Sequence, residues 1–87
     1  MSTTDKIITR INSMDPIGRE AILMELKNIH DIHKLWIYDP DEFFDKKHSL
    51  NELYSMEDDF ESKLKNLTGL ENVPLWQSVY CEFFGNC

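Results

Sequence analysis

Residues 49–69 read SLNELYSMEDDFESKLKNLTG, and this stretch decides the fold. Ser49-Leu50-Asn51-Glu52 has the S-x-x-E spacing of a capping box, in which a serine hydroxyl satisfies a free N–H at the helix start. Leu53, Met56, Phe60, Leu64 and Leu67 then recur at steps of three and four, the period of one buried helix face. Glu57, Asp58, Asp59 and Glu61 occupy the other face. Thr68-Gly69 ends the segment, because glycine takes the left-handed C-cap conformation without steric cost. A start signal, a seam and a stop signal together predict a helix over 50–67.

The same punctuation extends in both directions. Ser2, Thr3 or Thr4 can cap a helix over 3–14 with Ile7, Ile8, Ile11 and Met14 on its apolar side. Asp15-Pro16 restarts the chain, with the acid as N-cap and proline at the first helical position. From there Ile22, Leu26, Ile29, His33 and Trp36 form a stripe, widened by Ala21, Leu23 and Met24. They predict a long, well-buried helix over 16–37. The residue before a proline is pushed out of the α region, so Asp39-Pro40 ends this helix and opens a short one over 40–47. Asp39 caps it, and Asp41 and Glu42 face the positive end of its dipole. Asn72-Val73-Pro74 starts the last helix, over 74–84.

No stretch alternates as a strand does, and no repeat or linker interrupts the 87 residues. The expected architecture is all-α: a small single-domain helical bundle spanning 1–87, with four main helices and a short one. The intervening turns are brief, which makes successive helices antiparallel neighbours. A chain of this size buries only about 60–65% of its unfolded surface, so its stability is modest. No apolar run approaches the roughly 20 residues that a bilayer requires. MSTTDKIITR lacks the pattern of a secretory leader, which points to the cytoplasm. In that reducing setting Cys81 and Cys87 are expected as free thiols, the first partly packed and the second frayed.

Charge is the informative part of the composition. The net value is −7. Residues 1–38 balance five acids with five bases, and residues 62–87 balance two with two. Residues 39–61 hold nine acids against Lys46 and Lys47, so the whole excess falls in this block. Direct nucleic-acid binding needs many phosphate-neutralising cations and is disfavoured. A basic protein partner is favoured, in particular one that itself binds nucleic acid.

Catalytic signatures are absent from the sequence. His30 and His33 have H-x-x-H spacing, but a structural zinc needs two further ligands and both thiols are remote. Cys81 lacks the electropositive surround of a reactive thiol. No cofactor, no metal and no enzyme activity are expected.

Two surfaces remain. The first is the acidic block, where Asp41, Glu42, Asp45, Glu57, Asp58, Asp59 and Glu61 supply charge and Phe43, Phe44 and Tyr54 supply anchors, with Tyr38 nearby. Adjacent helical residues point about 100° apart, so one of Phe43 and Phe44 belongs in the core. The second surface is the aromatic stripe Trp76, Tyr80, Phe83 and Phe84, which is either core or the seam of a homo-oligomer. The leading expectation is a stoichiometric inhibitor, of the immunity, antitoxin or phage-antagonist kind, that occludes a basic, nucleic-acid-handling surface. It rests on analogy of size, charge and architecture. The alternatives are an oligomeric bundle that sequesters a small anion such as a nucleotide, and a non-inhibitory subunit of a larger complex. In the sequestering case Arg10, Arg19, Lys27 or Lys34 would hold the anionic group. The plain alternative for the acids is a solvated face that maintains solubility.

Overall fold

Local hydrogen bonds set the helix starts. The computed structural model describes residues 2–85. Its helices are α1 (Thr3–Asn12), α2 (Pro16–Tyr38), α3 (Pro40–Asp45), α4 (Leu50–Thr68) and α5 (Trp76–Phe84). The side chains of Ser2, Asp15, Asp39 and Ser49 each accept the N–H of the residue three positions on. Each fills a free donor of a first helical turn. Gly69 and Gly85 close α4 and α5 with positive φ.

Three boundaries differ from expectation by two residues, and α2 and α4 each end one residue late. α1 stops at Asn12 because Ser13 and Met14 turn back on it, with Met14 N–H donating to the Ile11 carbonyl at 3.1 Å. α3 stops at Asp45 because Lys47 takes a φ of 62°. Lys47 N–H then donates to Phe44 O and His48 N–H to Phe43 O, the paired bonds of a Schellman turn. α5 starts at Trp76, two residues late, with Leu75 as N-cap and no side-chain cap bond.

The helices enclose one main core and one satellite. Ile7 and Ile11 of α1, Ile22, Leu26 and Ile29 of α2, Phe60 and Leu64 of α4, and Trp76, Val79 and Tyr80 of α5 form the first. Ile32, Phe43 and Leu53 form the second, under α3, and Met56 packs against both. The molecule measures 40 × 24 × 24 Å. Its length follows from α2, which spans about 34 Å at 1.5 Å per residue and outruns what its neighbours can cover. Here the expected burial of α2 is corrected. Ile32 rather than His33 enters the core, while Ile17, Met24, Ile37 and Tyr38 of this helix are exposed.

α2 is the central strut, packed on all four other helices. Two side-chain contacts show that α4 runs antiparallel to it: Glu25 with Lys63, and His33 with Glu57 at 3.4 Å. α5 is antiparallel to α2 as well, since His30 meets Tyr80 and His33 meets Trp76. Cys81, half-buried on α5, is disulfide-bonded and corrects the expectation of a free thiol there. Cys87 lies outside the described residues. No helix among the described residues is long and apolar enough to cross a membrane.

Candidate functional site

The acidic block is carried by two capped helices, and helix geometry then divides it. At about 100° per residue, Glu57, Asp58 and Glu61 fall within about 60° of Tyr54 around the α4 axis, whereas Asp59 falls about 140° away. Asp59 shares its side with Glu52 and Lys63. The expectation of one face holding Glu57, Asp58, Asp59 and Glu61 is therefore corrected: the run straddles the helix. Tyr54 is 56% exposed on the first flank.

Neighbouring bases claim three of the acids. Glu42 pairs with Lys46 at 3.1 Å, Glu61 pairs with Lys65 at 3.4 Å, and half-buried Glu57 meets the Nδ1 of His33 at 3.4 Å. The Glu42 carboxylate, at the position where a capping box would return to the Asp39 N–H, pairs with Lys46 instead, and the Asp39 N–H donates to the Leu35 carbonyl. Asp41, Asp45, Asp58 and Asp59 are exposed and have no ion pair among the described residues. Exposed pairs such as Glu61–Lys65 contribute about 0.3–0.5 kcal/mol, so an incoming cation can replace them at little cost.

The two adjacent phenylalanines separate. Phe43 is fully buried in the satellite core, and Phe44 is 55% exposed with its ring edge-on to Phe43 and Trp36. Phe43 is therefore corrected from surface anchor to core residue. Phe44, Tyr54 and the 77%-exposed Tyr38 are exposed aromatic side chains.

The proposed seam on α5 is corrected in the same way. Trp76 and Tyr80 are buried within the single chain. Phe83 is half-buried with the Arg19 guanidinium 5.8 Å from its ring centre, and Phe84 stacks on Tyr80 at 4.7 Å. Most of the stripe is thus consumed in docking α5 onto the bundle.

Sequence reasoning missed a cleft of about 550 Å³ between α2 and α5. α2 supplies residues 30, 31, 33, 34, 37 and 38, a continuous stripe at helical spacing, and α5 supplies 76, 77, 80 and 81. His30 lies flat on Tyr80, and both histidines meet Trp76 near edge-on. No group of three or more metal-ligating side chains occurs among the described residues. The α2 spacing was visible in the sequence, but which helix would face it was not. Compared with known proteins, the chain matches no family model, no curated protein and no solved structure.

Proposed function

We propose that the protein is a small acidic binding protein whose α4 flank docks on a basic protein surface, most simply as a stoichiometric inhibitor that covers a nucleic-acid-handling site. One observation carries this reading. The exposed Tyr54 ring lies among Glu57, Asp58 and Glu61 at i+3, i+4 and i+7, on a rigid helix held by a serine cap and a glycine stop. An aromatic anchor ringed by carboxylates combines the desolvated centre and the charge complementarity that protein interfaces use. Confining the net charge to residues 39–61 concentrates the field on this side of the sequence and would speed encounter with a basic partner at low salt. Phe44, Asp41 and Asp45 on α3 would extend the contact.

The reading places the protein in the cytoplasm, although the Cys81 disulfide is uncommon there.

The test uses two adjacent residues of the same chemistry. Asp58 and Asp59 are both exposed and unpaired among the described residues, and reversal of either changes the net charge equally. Wild type, Asp58→Lys and Asp59→Lys are each used to capture proteins from native cytosol at low and high salt, and bound proteins are identified by mass. Salt-sensitive capture of one basic protein, weakened about tenfold or more by Asp58→Lys and much less by Asp59→Lys, is expected. Equal losses would reduce the acids to a diffuse field, and no loss would remove the docking role.

A further inference from the structure

The α2–α5 cleft lacks the acidic excess of the molecule as a whole. In a chain of net charge −7, its lining balances one acid, Asp31, with one base, Lys34, beside His30 and His33. Lys34 is exposed and makes no hydrogen bond or ion pair among the described residues. The side chain of Gln77, the indole N–H of Trp76 and the hydroxyl of Tyr80 also have no partner there. Neither the Trp76 N–H nor the Tyr80 hydroxyl is sealed from solvent, because among the described residues that are not exposed His30 Nδ1 alone is a buried and unbonded side-chain polar atom. Residues that carry unpaired hydrogen-bond donors thus line a cavity of about 550 Å³, within the size range of small-molecule sites. Ile37 and Tyr38, exposed at the end of α2, give the cleft an apolar end. Lys34 and the Trp76 indole can only donate, and Gln77 and Tyr80 can donate as well as accept, so an anion is a ligand that all four can meet.

We propose that this cleft binds a small aromatic anion, a carboxylate or phosphate ester on a single flat ring. Lys34 holds the charged head, with Gln77 and the Trp76 N–H as neutral donors, and the ring lies against Ile37 and Tyr38. Lys34 and Ile37 are one helical step apart on α2, as are Lys34 and Tyr38, so the charged and apolar subsites are adjacent along one helix face. Asp31 lies on the His30 side of Lys34 in the chain and disfavours an anion there, which directs the head toward the Lys34–Gln77 end. Of the four bases considered for an anion from the sequence, Lys34 is the one that lines this cleft. Arg10 donates instead to the Leu67 carbonyl, and Arg19 donates to Asn12. The site lies within one chain and borders the acidic docking surface through the His33–Glu57 contact.

Phenyl phosphate titrated into the 15N-labelled full chain provides the test, because the two tryptophans give separate indole N–H signals. Trp36 packs on Phe43 and Phe44, away from the cleft lining, and serves as an internal control. Saturable shifts of the Trp76 indole and the Gln77 amide are expected, with Trp36 unmoved and benzyl alcohol without effect. Lys34→Met should weaken binding about tenfold or more, because an ammonium–phosphate contact is lost without loss of bulk. Lys27→Met, which changes the net charge equally on the same helix but outside the cleft, should leave binding unchanged. The proposal is overturned by the absence of a saturable shift, by equal losses in the two lysine variants, or by inorganic phosphate binding as tightly as phenyl phosphate.

Discussion

The imidazole of His30 lies face to face with the phenol ring of Tyr80, with centroids 3.9 Å apart and planes within 7° of parallel. This stack joins α5 to the middle of α2, and Trp76 closes one edge of it at 6.3 Å. The arrangement leaves His30 Nδ1 buried without a hydrogen-bond partner. The Asp31 carboxylate stands 3.5 Å from that nitrogen without forming a hydrogen bond to it.

A buried polar atom with no partner costs stability that an apolar ring of the same shape recovers. His30→Phe should therefore raise stability by about 1 kcal/mol, read as a higher urea midpoint with an unchanged slope. A lower midpoint would show that the nitrogen has a partner, such as an ordered water, that stabilises the fold.

Phe43 and Phe44 offer a paired test of the satellite core. Phe43 is completely enclosed, so Phe43→Ala should cost about 3–5 kcal/mol. That loss is comparable to the whole stability of a small domain, and the far-ultraviolet helical signal should fall at room temperature. Phe44→Ala removes a half-exposed ring that still touches Trp36 edge-on. It should cost about 1 kcal/mol or less and leave the signal intact. Similar losses in both variants would contradict the separation of the two rings.

Lys47 holds a φ of 62°, a conformation that non-glycine residues adopt at a cost. It makes no ion pair among the described residues. Lys47→Gly should relax that position, and the gain of about 0.5–1 kcal/mol is partly offset by the greater freedom of glycine in the unfolded chain. Thermal denaturation should show a small rise in Tm. Lys47→Ala keeps the side-chain carbon and should not show it.

The start of α4 depends on one hydroxyl. Glu52 N–H donates to Ser49 Oγ at 3.1 Å, and removing that acceptor exposes a free donor. Ser49→Ala should cost about 1 kcal/mol, and Ser49→Asp should restore most of it. Chemical denaturation of the three proteins reads the difference directly.

Much of this architecture is legible in the chain because its signals are local. Asp15, Asp39 and Ser49 cap their helices through bonds spanning three residues, and a glycine closes α4 within one turn. Such contacts depend on little beyond neighbours, so five helices and their order can be read without knowing how they pack. The late start of α5 marks the limit, since Asn72 has the chemistry of a cap but the chain begins the helix at Trp76.

By itself, the amino-acid sequence determined the all-helical character, the succession of elements and the confinement of the net charge to residues 39–61, because these follow from short-range geometry and composition. Only the tertiary structure decided which of two adjacent rings is enclosed, that Ile32 rather than His33 faces the core, that Glu57 turns to His33, and that α5 lies against the 30–38 stripe of α2 to form a cleft. Each depends on where a helix tens of residues away comes to rest. That position is set by the summed burial of many apolar side chains, a quantity that no single segment carries.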